Sequence, residues 1–107
     1  MHDDHDPNQI EIPQSFLALF TAPGRSRPSA PRAEVAARYE LCEDLATLLT
    51  GTAADMQFSL GIAESDVLQR VHQGLLGEAA VVTPSEAWWV VCRLAELSNW
   101  EQPSLIP

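Results

Sequence analysis

Apolar residues recur at three- and four-residue spacing over most of this chain, the signature of helices that bury one face. The longest such series is Val35, Tyr39, Cys42, Leu45, Leu49, Ala53 and Met56, which predicts a helix from near Pro31 to about Phe58. Gly51 lies inside it. Glycine costs about 1 kcal/mol relative to alanine in a helix interior, so a break at Gly51 is the alternative, but the stripe keeps its phase past it. A third helix is predicted by Val67, Leu68, Val71, Leu75 and Leu76. Gly61 suits the left-handed position that closes the preceding helix, and Ile62 is placed to staple onto Val67. Asp66 and Arg70 have the spacing of a surface ion pair.

The fourth helix has the clearest start. In Thr83-Pro84-Ser85-Glu86, a threonine cap, a proline at the first helical position and a glutamate three residues after the cap predict a capping box. Trp88, Val91, Leu94, Ala95 and Leu97 carry the pattern to about Asn99. Near the N-terminus, Phe16, Leu19 and Phe20 share a helical face within Pro13–Phe20 and predict a short helix of two turns, with a strand as the alternative. Pro23-Gly24 then signals a turn, and three prolines and one glycine in residues 23–31 exclude regular structure there.

These elements predict an all-α fold, a small helical bundle of three longer helices plus one short N-terminal helix, forming a single domain over 13–100. Residues 1–12 read as a mobile acidic tail, and 101–107, with Pro103 and Pro107, as a frayed C-terminal tail.

Composition narrows the class. A length of 107 residues suits one domain, and 46% apolar residues support a folded core. No apolar run approaches the ~18 residues of a membrane span. The start, Met1-His2-Asp3-Asp4-His5-Asp6, lacks the basic-then-apolar pattern of a secretion signal, so a cytoplasmic protein is expected. Cys42 and Cys92 both fall in helical, largely apolar segments, which favours reduced core thiols over a disulfide.

The net charge of −9 weighs against nucleic-acid binding. Its distribution is uneven. Residues 21–38 hold Arg25, Arg27, Arg32 and Arg38 against Glu34 alone, whereas residues 39–107 hold ten acids against Arg70 and Arg93. Lysine is absent. The proline-bounded loop carrying Arg25 and Arg27, with Arg32 after it, is the best candidate site. Arginine favours bidentate contacts with carboxylate and phosphate. One reading is a docking site for an acidic or phosphate-bearing partner. The other, slightly favoured by the surplus of carboxylates, is a clamp that ties the loop to the protein's own acids. Trp89 is a second candidate contact residue. Trp88 and Trp89 project about 100° apart, so one can be core while the other meets a partner or carries Arg93 as a cation–π neighbour.

Other constellations are weaker. His2, His5 and their neighbouring aspartates have metal-ligand chemistry but no ordered surroundings to orient them, so no metal is expected. His72 lacks a nucleophile or orienting carboxylate in its local sequence and reads as a partly buried, hydrogen-bonded structural histidine. Glu40, Glu43 and Asp44 surround Cys42 and disfavour a thiolate. No glycine-rich phosphate loop and no lysine are present, so no ATP binding or turnover is expected and no cofactor is implied. The third and fourth helices allow a helix-turn-helix reading, but Gly77–Val82 is longer than that motif's turn, and Ser85, Glu86, Trp89 and Arg93 are poor groove-facing chemistry.

The segments Ile12-Pro13-Gln14-Ser15-Phe16-Leu17-Ala18-Leu19-Phe20, Pro23-Gly24-Arg25, Ala37-Arg38-Tyr39-Glu40-Leu41-Cys42-Glu43-Asp44-Leu45 and Ala87-Trp88-Trp89 with Arg93-Leu94-Ala95-Glu96-Leu97 resemble a small family of proteobacterial proteins. Its members are often labelled as an ATPase with chaperone activity. The resemblance spans nearly the whole chain after the acidic tail. It implies a bacterial cytoplasmic protein of about this length and supplies no catalytic residues. The expected role is a non-catalytic protein-interaction module or accessory factor with a protein partner. The alternatives are a transcription-associated helix-turn-helix protein and, more remotely, a helical bundle binding a small ligand between Tyr39, His72 and a tryptophan. Oligomeric state stays open.

Overall fold

The computed structural model describes residues 11–25 and 27–104. Those residues form helices α1 (Gln14–Leu17), α2 (Arg32–Leu60), α3 (Glu64–Leu75) and α4 (Pro84–Leu97), with a 3-10 turn at Ala18–Phe20 extending α1. No strand occurs among the described residues, and no described helix is long and apolar enough to cross a membrane. The expected mobile tail lies outside the described residues except at Glu11 and Ile12, and Ile12 is buried. The chain divides into two compact units, Met1–Leu41 and Cys42–Pro107.

The first unit is organised by aromatic rings. Phe16 is fully buried, and its ring lies 5.5 Å from Phe20 and 5.5 Å from Tyr39, the latter edge-on. Such pairs add about 0.5–1.5 kcal/mol beyond their burial. Val35 and Ala36, on the first turns of α2, are buried in the same unit.

α2 runs unbroken through Gly51. Its most buried line in the second unit is Cys42, Ala46 and Ala53, while Leu45, Leu49 and Met56 are half-buried. The most buried line of the helix is thus of small side chains, with Leu49 and Met56 packed on the cluster beside Ala53. The expected stop is realised: Gly61 has φ 62° and its N–H bonds the Gln57 carbonyl at 2.9 Å, leaving the helix in the left-handed conformation that glycine tolerates.

In the second unit, Ala53 of α2, Val67, Leu68 and Val71 of α3, and Val91, Leu94 and Ala95 of α4 form one buried cluster. Fully burying a side chain such as Leu94 contributes about 1.5–3 kcal/mol. Ile62 packs against this cluster from the position just before the α3 cap, as a hydrophobic staple does. Leu76 and Leu97, expected in the core, are instead 42% and 39% exposed, each at or just past the C-terminal turn of its helix. Asp66 and Arg70 form no ion pair; both are exposed on α3 and solvent screens them.

α4 begins with the expected capping box. Thr83 Oγ1 accepts from the Glu86 N–H at 3.2 Å, and the Thr83 N–H donates to Glu86 Oε1 at 2.9 Å. Its C-terminus carries a motif the sequence reading missed. Asn99 has φ 61°, its N–H bonds the Glu96 carbonyl, and the Trp100 N–H bonds the Ala95 carbonyl at 2.8 Å. This paired closure is a Schellman motif. It folds Trp100 onto the core cluster rather than into a frayed tail. Gln102 Nε2, in the stretch expected to fray, donates to the Cys92 carbonyl at 3.2 Å; residues 105–107 lie outside the described residues.

Candidate binding cleft at the arginine loop

The loop after α1 is closed by backbone geometry. The Arg25 N–H bonds the Ala22 carbonyl at 3.0 Å, and Gly24 has φ 80°. Proline at the second position and a positive-φ glycine at the third make Ala22–Arg25 a type II turn, as Pro23-Gly24 predicts. Thr21 Oγ1 donates to the Leu17 carbonyl at 2.8 Å, fastening the loop's first residue to α1. At the other end, the Ser29 N–H and Ser29 Oγ both donate to the Phe20 carbonyl, at 2.6 and 3.0 Å. Phe20 and Ser29 are thus pinned together at the two ends of the loop.

The loop borders an open cleft of ≈ 470 Å³ lined by Ala22, Arg25, Arg27, Pro28 and Ser29. Arg25 and Arg27 are exposed, and no carboxylate among the described residues pairs with either. Two guanidiniums facing one cleft, against apolar Ala22 and Pro28, can receive a carboxylate or phosphate with forked hydrogen bonds. Arg32 does not line the cleft; it opens α2, exposed. The structure therefore brings together two of the three arginines singled out in the sequence.

Trp89, the second candidate, is 8% exposed and belongs to the buried side of α4, so little of its ring lies at the surface. The Arg93 guanidinium bonds Glu43 and Glu96. Trp88 is half-buried, and its ring meets His72 edge-on at 5.3 Å. His72 makes that ring contact and, contrary to the expectation, no side-chain hydrogen bond among the described residues. Tyr39 has its own ring contact in the first unit, with Phe16.

Both cysteines are thiols outside any disulfide, Cys42 buried and Cys92 half-buried. Burial first, and the Glu96 carboxylate second, push the Cys92 thiol pKa up. No cluster of metal-ligating side chains forms among the described residues; His2 and His5 lie outside them. Sequence reasoning had no signal for the Glu43–Arg93 contact, which joins positions far apart in the chain. No family model, curated protein or solved structure matches this chain.

Proposed function

We propose that this protein is a non-catalytic, cytoplasmic interaction module, a bundle of three longer helices and one short one, that docks an anionic segment of a protein partner in the Arg25–Arg27 cleft. One observation carries the reading: two guanidiniums line a single cleft, exposed and unspent, in a chain of net charge −9. A chain with so many carboxylates has ample means to neutralise its own arginines, yet no described carboxylate reaches these two. The candidate catalytic groups point the same way. His72 packs on Trp88, Cys42 is buried, and the Cys92 thiol is biased toward its protonated form.

The test is a titration with two labelled peptides of one sequence, one bearing phosphoserines and one bearing glutamates at those positions. Wild type is expected to bind at least one saturably, more weakly as salt rises. R25A/R27A is expected to lose that binding while its denaturation curve stays within about 1 kcal/mol of wild type, as for exposed charges. Equal binding by the double variant, or no binding by wild type, would refute the docking role. A larger loss of stability would show the arginines to be a structural clamp.

A further inference from the structure

The outer face of α2 bears large apolar side chains that the fold does not use. Phe58 is 90% exposed and Leu48 is 73% exposed, both on regular helix. At about 100° per residue, Thr47, Gly51, Ala54 and Phe58 run along the side opposite Cys42, Ala46 and Ala53, and Leu48 and Asp55 lie beside that line. All six outer residues are exposed, and all three inner ones are buried. Gly51 leaves open space where a Cβ would sit, with nothing within 4 Å. The outer face is thus a shallow saddle: small residues in the middle, Leu48 toward one end and Phe58 at the other.

Its charge says what would cover it. No basic residue or histidine occurs between Arg38 and Arg70. Asp44 and Asp55 are exposed on the same side of α2, and neither has an ion-pair partner among the described residues. Two apolar anchors flanked by uncompensated carboxylates complement an amphipathic helix whose apolar residues are bordered by lysine or arginine. A second copy of this chain fits poorly, because pairing two such faces sets aspartates against one another in a protein already at −9.

We infer that the outer face of α2, centred on Leu48, Gly51 and Phe58, is a docking surface for a basic amphipathic helix of a protein partner. This surface is independent of the arginine cleft, and either can fail without the other.

The test uses the full chain and a labelled peptide of about four helical turns, with leucines at helical spacing and lysines beside them. A second peptide keeps the leucines and replaces the lysines with glutamates. Wild type is expected to bind the lysine peptide saturably and the glutamate peptide not at all. F58S and L48S should each weaken binding at least ~10-fold, in the range of anchor residues. D44N/D55N should weaken it and flatten its salt dependence. Because these side chains are exposed, the variants should unfold like wild type. Unchanged affinity in F58S and L48S would reduce the binding to general attraction by an acidic protein and overturn the inference. Failure of wild type to bind the lysine peptide would also overturn it. So would sedimentation of wild type as a dimer that F58S dissolves, since the occupant would then be a second copy.

Discussion

Arg93 on α4 grips Glu43 on α2 through two parallel hydrogen bonds, Nε to Oε1 and Nη2 to Oε2, each 2.9 Å. Its remaining terminal nitrogen, Nη1, donates to Glu96 Oε1 at 3.0 Å. The fork geometry matches guanidinium to carboxylate in a way lysine cannot reproduce. Both side chains keep partial solvent contact, 33% for Arg93 and 25% for Glu43, so the pair stands between a screened surface bridge and a buried one.

R93A and E43A are each expected to cost about 1–2 kcal/mol, discounted for that exposure. R93K should recover less than half, because it restores charge without the fork. The bonds to Glu43 first and Glu96 second raise the Arg93 pKa above its ordinary value. A raised pKa in the folded state gives stability that is fully present below the unfolded arginine's pKa, so the arginine stays charged and its part should hold at neutral pH. A double-mutant cycle by urea denaturation checks this. A coupling energy near zero between positions 43 and 93 would show the contact to be incidental.

The sequence made the helices legible and left the contacts between them mostly hidden. Thr83, Pro84 and Glu86 announce α4 because a capping box is local chemistry, complete within four residues. Gly61 announces the end of α2 for the same reason. Glu43 and Arg93 carry no such mark: each is one of several charged residues on a helix, and only packing sets them opposite one another. Trp88 and Trp89 show the limit from the other side. Their spacing requires them to face different ways, but which one is buried is set by packing: Trp89 is 8% exposed, while half-buried Trp88 meets His72 of α3. Asn99 was legible in principle, since asparagine is a regular substitute for glycine at a left-handed helix end. The pattern of α2 misled in one respect. Leu48 and Phe58 add to its apolar content from the exposed face, so the helix is less one-sided than its stripe suggests.

Gly51 and Gly61 should respond oppositely to alanine. Gly51 is helical, exposed and open where a Cβ would go. G51A should therefore stabilise the protein by up to about 1 kcal/mol, through helix propensity and a less flexible unfolded chain. Gly61 has equal room but φ +62°, where alanine is strained, so G61A should cost about 1–2 kcal/mol. Thermal or urea unfolding of the two variants reads both signs. A destabilised G51A would mean that α2 bends or opens at this point in solution.

Cys92 should behave as a reluctant thiol. Burial disfavours its charged form, and the Glu96 carboxylate adds repulsion, so its pKa in the fold lies above the ordinary value. A raised acid pKa stabilises the fold at pH values below the unfolded thiol's pKa. That contribution is lost as pH rises through the folded pKa, because the unfolded chain then releases the proton more readily. Alkylation with iodoacetamide, followed site by site by mass spectrometry, should place the rate–pH midpoint of native Cys92 above that of the denatured protein. Cys42, fully buried, should react only on unfolding. E96Q should move the Cys92 midpoint down only part of the way, because burial is the larger cause; the glutamine oxygen can still accept from Arg93, which keeps the local packing comparable. A native midpoint at or below the denatured one would contradict the assignment, and a return to the denatured value in E96Q would make charge, not burial, the dominant cause.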